Sequence, residues 1–84
     1  MSLLKCHSEI RECLKKYERE LVELLKIIRT EGRPTKNNSY RILYRDKNGN
    51  TGSVRLDLDD GFACDEVVSR LSVKLDLEEH SSSI

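Results

Sequence analysis

The chain has 84 residues, with 15 basic and 15 acidic side chains and no net charge. A chain of this length forms one domain with a small core, and its periodic apolar residues exclude disorder for most of its length. No run approaches the roughly 20 apolar residues of a membrane helix, and the N-terminus lacks the apolar segment of a signal peptide.

The first predicted element is a long amphipathic helix over residues 3–29. Its apolar positions step alternately by four and three, which is a heptad pattern typical of a coiled coil. This heptad seam consists of Leu3, His7, Ile10, Leu14, Tyr17, Leu21, Leu24 and Ile28. Gly32 and Pro34 are expected to end the helix. The stripe widens near Leu24, so we expect that end to pack on the rest of the chain and the narrower part to face a partner.

Residues 32–38 have the composition of a loop, and two segments of alternating polarity follow them. One apolar face is expected to contain Tyr40, Ile42, Tyr44, Val54, Leu56 and Leu58. The segment between them, residues 46–52, is rich in Asn and Gly, so the sequence predicts a two-stranded antiparallel hairpin.

Pairing of the two apolar faces predicts the register of this hairpin, because a slip of one residue would turn every side chain to the other face. The expected pairs are Tyr44–Val54, Ile42–Leu56 and Tyr40–Leu58. This register requires a connection of three or five residues. It also places Arg41 opposite Asp57.

A second helix is predicted from about Phe62 to Leu75, with Asp59 or Asp60 as its N-cap. Its apolar stripe consists of Val67, Val68, Leu71 and Leu75. The polar residues 76–84 are expected to form a disordered tail.

The predicted fold class is therefore α+β, in the order helix, strand, strand, helix (α-β-β-α). Residues 1–31 form the heptad-patterned helix, 32–38 a loop, 39–75 the hairpin and second helix in one domain with the first helix, and 76–84 the tail. A two-stranded hairpin is marginal in water and leaves its edges open. We therefore expect a homodimer.

Three cysteines are present, Cys6, Cys13 and Cys64. An odd number without close spacing is not typical of a secreted disulfide framework, so we expect free thiols in a chain of the cytoplasm or nucleus. Cys6, His7 and Cys13 lie too far apart around a helix to form a tetrahedral metal site within one chain.

The segment from Asp46 to Asp57 resembles a calcium loop of the EF-hand kind in its first oxygen ligands. It has Thr51 where the sharp turn needs glycine, however, and its flanks are predicted strands. Hairpin chemistry explains the same residues. No catalytic motif is present, and we expect no catalytic residue, metal or cofactor and no enzymatic activity.

Charge is unevenly distributed: residues 29–55 carry seven basic and two acidic side chains, whereas residues 56–84 carry two basic and eight acidic ones. The predicted basic face of the loop and hairpin consists of Arg33, Lys36, Arg41, Arg45, Lys47 and Arg55. Tyr40 and Tyr44 are expected on the opposite, buried face, which disfavours base stacking.

These observations predict a protein–protein interaction or assembly module, an adaptor that self-associates and meets an acidic protein through the basic face. The residues expected to mediate self-association are Leu3, His7, Ile10, Leu14, Tyr17 and Leu21. The alternative is a nucleic-acid-binding adaptor that uses the same basic face. Residues 82–84 (Ser-Ser-Ile) also match a C-terminal ligand of PDZ-type domains.

Overall fold

The computed structural model describes residues 3–27, 37–59 and 61–81. A 3-10 turn, Leu3–Cys6, leads directly into helix α1, His7–Lys16. Three strands follow, β1 (Arg19–Ile27), β2 (Asn37–Asp46) and β3 (Thr51–Asp59), and then helix α2, Cys64–Ser81. The strands form an antiparallel sheet in the order β1-β2-β3. The fold is α+β, as predicted, but it has three strands and not the predicted two-stranded hairpin.

The prediction of one helix over residues 3–29 is wrong, because α1 ends at Lys16 and Arg19–Ile27 is a strand. The last turn of α1 is closed by the backbone N–H of Tyr17, which donates to the carbonyl of Leu14 at 3.0 Å. Glu18 then adopts a φ of 59°, in the left-handed region that ends helices. The chain turns there and β1 begins.

A β-bulge in β1 explains why the strand has a helical pattern of apolar residues. Leu21 pairs with Tyr44 and Leu24 pairs with Ile42, and the register shifts between Leu21 and Glu23. Two residues of β2 are therefore matched by three residues of β1, because a bulge inserts one extra residue. Leu21 and Leu24 both pack against the core. The spacing of three between Leu21 and Leu24, which continues the heptad seam in the sequence, is thus produced by a bulged strand.

The hairpin of β2 and β3 has the predicted faces but a register two residues away from the predicted one. The observed pairs are Tyr44–Gly52, Ile42–Val54, Arg41–Arg55, Tyr40–Leu56 and Ser39–Asp57. The predicted pairing of Arg41 with Asp57 is therefore wrong. The odd number of connecting residues is confirmed, since five of them, 46–50, separate the last pair, Arg45 and Thr51.

Two local features set this register. The carboxylate of Asp46 accepts the backbone N–H groups of Asn48 and Asn50 at 2.9 and 3.0 Å, which fixes a five-residue turn. Gly49 in that turn has a φ of +84°. The ring of Tyr44 also lies so close to Gly52 that a Cβ atom there would be 2.7 Å from it. Tyr44 therefore needs a glycine as its partner across the hairpin.

The helices pack together against one face of the sheet. The core side chains of the described residues are Leu3, Cys6, Ile10, Cys13, Leu14, Tyr40, Ile42, Tyr44, Val54, Leu56, Leu58, Phe62, Val67, Leu71 and Leu75. The predicted apolar stripe of α2 is confirmed at three of its four positions, since Val67, Leu71 and Leu75 are buried and Val68 is half-buried. Residues 76–81, predicted as tail, continue the helix. Residues 82–84 lie outside the described residues.

A disulfide joins Cys6, at the end of the 3-10 turn, to Cys64, the first residue of α2, with a Cα–Cα distance of 5.4 Å. The prediction that these two thiols are free is wrong for this structure. The physical reason is packing of the two helices, which brings together cysteines 58 positions apart in the sequence. Cys13 is free and buried, with its Sγ 3.3 Å from the hydroxyl of Ser72.

Candidate functional site

A groove of about 480 Å³ lies between α1 and β1. Its lining consists of His7, Arg11, Lys15, Arg19, Glu20 and Leu21, and we call it the basic groove. Its volume falls within the range of roughly 300–1,000 Å³ that is usual for ligand-binding clefts. Four of the six lining residues carry basic side chains, so the groove suits an anionic partner.

Helix α1 supplies one wall of the basic groove through a regular repeat. His7, Arg11 and Lys15 are four residues apart, so their side chains follow one another along the same helix face. At 1.5 Å per residue the row is about 12 Å long. The three residues are exposed, whereas Ile10 and Leu14 on the adjacent face are fully buried. Burial of that apolar face therefore fixes the direction of the basic row.

The charges of Arg11 and Lys15 in this row are not compensated within the described structure. The side chains of His7, Arg11 and Lys15 form no ion pair or hydrogen bond with another described residue. The lone acidic side chain of the lining is Glu20, which lies opposite Arg45 in the sheet. The potential at the groove is therefore positive, and oriented charges of this kind attract anionic groups.

Arg19 belongs to the lining of the basic groove. The turn at Glu18 brings Arg19 back beside α1, where its guanidinium carbon lies 4.9 Å from the centre of the Tyr44 ring. Its Nη2 is 3.7 Å from a carboxylate oxygen of Glu78, and the side chain is 13% exposed. Its Nη1 is buried and has no hydrogen-bond partner among the described residues. Arg19 is thus held in place and keeps hydrogen-bonding capacity.

Tyr44 and Glu78 together hold the Arg19 side chain in position. The hydroxyl of Tyr44 donates to Glu78 at 2.6 Å, which connects β2 to α2. Burial, followed by the hydrogen bond to Glu78, raises the pKa of Tyr44 to about 12. The phenol is therefore protonated at neutral pH and acts as a hydrogen-bond donor. It orients the carboxylate that faces Arg19.

Strand β1 forms the other wall and is an edge strand. Within the described sheet it pairs with β2 on one side only. The backbone N–H and C=O groups on the far side of an edge strand are available to an added strand. The basic row of α1 and this edge therefore border the same groove.

A second groove, of about 280 Å³, lies between β3 and α2, and its charged lining consists of Arg55, Arg70, Lys74 and Asp57. Arg55 in its lining is 3.7 Å from the carboxylate of Asp57. Arg70 is 3.3 Å from Glu66 and donates to the backbone carbonyl of Asp57 at 2.9 Å. Two of the three cations of the second groove therefore have partners, whereas Arg11 and Lys15 of the basic groove have none among the described residues, which makes the basic groove the stronger candidate for an anionic ligand.

Three residues of the predicted basic face share one surface of the sheet, where Arg41 pairs with Arg55 across β2 and β3. Arg41, Arg45 and Arg55 are exposed on the sheet surface away from the helices, while Lys47 in the hairpin turn lies 2.9 Å from Glu18. Arg33 and Lys36 lie outside the described residues. Glu20 and Glu23 of β1 pair with residues of the same sheet surface. This surface therefore has mixed charge, which the sequence did not indicate because β1 was expected to be helical.

The residues predicted to mediate self-association have three different environments. Leu3, Ile10 and Leu14 are 3%, 0% and 0% exposed and belong to the chain's own core. Tyr17 and Leu21 are half-buried against that core. His7 is exposed and lines the basic groove. Self-association of the protein stays a prediction, but the three core side chains have almost no surface to offer a second chain.

The basic residues that line the groove form a repeat in the sequence, because they occupy every fourth position from 7 to 19. In one continuous helix this repeat is an ordinary solvated face. The end of α1 at Lys16 turns it into three residues on one wall and Arg19 on the other. The repeat alone therefore indicates only a face of a helix, and the groove depends on the end of α1 at Lys16.

One group of possible metal ligands occurs among the described residues, at the junction of the 3-10 turn, α1 and α2. It consists of Cys6, Glu9 and Cys64, whose ligand atoms lie within 4.8 Å of one another. In the loop that resembles a calcium site, the carboxylate of Asp46 is used by backbone N–H groups of its own turn. None of the described helices is long and apolar enough to cross a membrane.

Comparisons of this chain with protein-family models, with curated proteins and with solved structures found no match.

Proposed function

We propose that the protein is a non-enzymatic interaction module that binds an acidic, extended segment of a partner protein in the basic groove. The observation that carries this proposal is the uncompensated row of His7, Arg11 and Lys15, which borders the same groove as the edge strand β1. Carboxylates of the partner would meet the row, and its backbone would run beside β1.

Three features favour a protein segment over a nucleic acid. The chain has no net charge, whereas nucleic-acid-binding domains are usually basic. Tyr40, Tyr44 and Phe62 are buried and Tyr17 is half-buried, so the described residues offer no exposed aromatic ring for base stacking. The carboxylate of Glu20 in the lining also repels a uniform row of phosphates.

The edge of β1 adds specificity that charge alone does not provide. Hydrogen bonds between strands fix the position of an added segment, and its alternate side chains then point to opposite faces. Leu21 in the lining offers an apolar contact beside the cations. A segment that alternates acidic and apolar residues therefore fits the basic groove best.

A homodimer through the heptad seam is not part of this proposal, since Leu3, Ile10 and Leu14 are in the core of the chain itself. We place the module in the cytoplasm or nucleus, the compartment expected from its odd number of cysteines. In these reducing compartments, Cys6 and Cys64 would be thiols for part of the protein's life.

The test is a fluorescence anisotropy titration with a short labelled peptide of alternating Glu and Val residues. We expect binding at low salt that weakens as salt is added, because exposed charges are screened. The variant Arg11→Glu/Lys15→Glu should bind at least about tenfold more weakly, which corresponds to about 1.4 kcal/mol. The matched control is Lys16→Glu/Arg41→Glu, which changes the net charge equally at exposed positions outside the lining.

Equal weakening of binding in the two variants would show that the attraction is non-specific and would refute the groove as the site. Absence of peptide binding at low salt would refute the acidic segment as ligand. A single-stranded oligonucleotide is titrated in parallel. If it binds more tightly than the peptide and loses affinity in the groove variant, the nucleic-acid-binding alternative replaces the proposal.

A further inference from the structure

The cysteine pair that joins the two helices has a carboxylate beside it. Cys6 ends the 3-10 turn, Glu9 is in the first turn of α1, and Cys64 begins α2. The two Sγ atoms and a carboxylate oxygen of Glu9 all lie within 4.8 Å of one another. A disulfide does not need this carboxylate, so the arrangement suggests a second use of the same three residues.

Glu9 has no structural partner that would explain its position. Its side chain forms no hydrogen bond or ion pair with another described residue. Cys64 is half-buried and Glu9 is exposed, so the group is accessible from solvent, while Cys6 is fully buried. A buried sulfur, a half-buried sulfur and a free carboxylate form an open set of three ligands.

We propose that, once the disulfide is reduced, Cys6, Cys64 and Glu9 bind a zinc-type divalent cation, with water in the fourth position. Thiolate sulfur with a carboxylate oxygen is a donor set that suits Zn²⁺, which prefers tetrahedral coordination. The disulfide and the metal are alternative occupants of one site, and each connects the 3-10 turn to α2.

The geometry permits this exchange with small movements. Zinc–sulfur bonds of about 2.3 Å in a tetrahedral site place two sulfurs roughly 3.8 Å apart. The joined sulfurs must move apart to reach this separation, which rotation of the half-buried Cys64 side chain can provide. The Cα atoms, 5.4 Å apart, can stay in place.

The chemistry balances in two steps. A dithiol reductant gives two electrons and two protons to the Cys6–Cys64 bond, which becomes two thiols while the reductant becomes a cyclic disulfide. Zn²⁺ then replaces the two thiol protons, which pass to solvent. The site with two thiolates and Glu9 carries one net negative charge. Lys5 lies nearby, with its Nζ 2.8 Å from the carbonyl of Phe62, and partly offsets that charge.

The test uses Co²⁺ as a spectroscopic substitute for zinc, in protein reduced with a phosphine under anaerobic conditions. We expect one equivalent of Co²⁺ per chain, a near-ultraviolet thiolate-to-cobalt charge-transfer band, and visible bands of tetrahedral cobalt that one equivalent of Zn²⁺ removes. The oxidised protein should show none of these bands. Absence of the charge-transfer band in the reduced protein overturns the proposal.

Three variants assign the ligands, with far-ultraviolet circular dichroism to confirm that each one folds. Cys64→Ser should lose most of the charge-transfer intensity, and Glu9→Gln should weaken Co²⁺ binding at least about tenfold. Cys13→Ser, at the free buried cysteine, is the matched control and should bind as the wild type does. The assignment fails if Glu9→Gln binds within twofold of the wild type, or if Cys13→Ser loses the band. These readouts do not depend on the basic groove.

Discussion

Tyr44 connects three parts of the molecule through one side chain. Its ring covers Gly52 in the neighbouring strand and contacts the guanidinium of Arg19 in β1. Its hydroxyl reaches Glu78 in α2. A change at any of these positions therefore affects both the packing of the sheet and the position of Arg19 in the basic groove.

Replacement of Gly52 by alanine tests the close contact with Tyr44. A Cβ atom at Gly52 would lie 2.7 Å from the ring, so the ring or the strand has to move. Overpacking of this kind costs about 1–3 kcal/mol, and we expect the free energy of unfolding of Gly52→Ala to fall by that amount in urea denaturation.

The matched control is Gly61→Ala, since a Cβ atom there would meet no atom within 4 Å. This control should be neutral or slightly more stable, because alanine restricts the unfolded chain. Equal stability of the two variants would contradict the contact between Gly52 and Tyr44.

At the scale of elements, the break between α1 and β1 determines the fold. It provides a third strand, which pairs with β2 and removes one open edge of the hairpin. It also separates the basic repeat into the two walls of a groove. The open hairpin edges that suggested a homodimer are thus partly covered by the chain itself.

Substitution of Glu18 tests this break. Its φ of 59° is unfavourable for side chains such as those of Glu and Gln, with a cost of roughly 1–2 kcal/mol, whereas glycine adopts it freely. Glu18→Gly should therefore be more stable than Glu18→Gln by about 1 kcal/mol, as measured by thermal and urea denaturation. The comparison with Gln is needed because both variants lose the exposed ion pair with Lys47.

If the helix continued through position 18, Glu18→Gly would be less stable than Glu18→Gln, since glycine in a helix interior costs about 1 kcal/mol. Glu12→Gly, within α1, is the control and should be destabilised by that amount. If Glu18→Gly loses as much stability as Glu12→Gly, the result contradicts the end of α1 before Glu18 and the strand that follows it.

An element could be predicted from the sequence when its apolar pattern fits only a helix or only a strand. The alternation in β2 and β3 and the stripe of α2 are each compatible with one kind of element, and these three were predicted. In β1, the bulge makes Leu21 and Leu24 continue a helical repeat. Local pattern therefore favoured a helix, and only pairing with β2 reveals the strand.

The register and the site depend on contacts that sequence alone does not contain. The pairing of Tyr44 with Gly52 follows from the fit of a ring over a residue without a side chain. The disulfide follows from helix packing across 58 positions. The basic groove follows from the turn at Glu18. The pairing and the disulfide are tertiary contacts, and the turn has no glycine to mark it in the sequence, so composition and spacing did not predict them.

At the scale of the whole molecule, the N-terminal helical segment and α2 are joined at two points. The disulfide fixes the 3-10 turn to the start of α2, and the hydroxyl of Tyr17 donates to Asp76 near the other end of that helix at 2.8 Å. The orientation of α1, and with it the basic row of His7, Arg11 and Lys15, therefore depends on α2.

Reduction of the disulfide tests how much of the stability comes from this connection. A crosslink between residues 58 positions apart restricts the unfolded chain and contributes about 4 kcal/mol by loop-closure entropy. Total stabilities of small domains are about 5–15 kcal/mol, so reduced protein with a chelator present should unfold at a much lower urea concentration than oxidised protein. A double variant, Cys6→Ala/Cys64→Ala, should show no difference between the two conditions. Equal urea midpoints for oxidised and reduced wild type would contradict a crosslink between the two helices. If the reduced cysteines bind a metal, addition of Zn²⁺ should restore part of the lost stability.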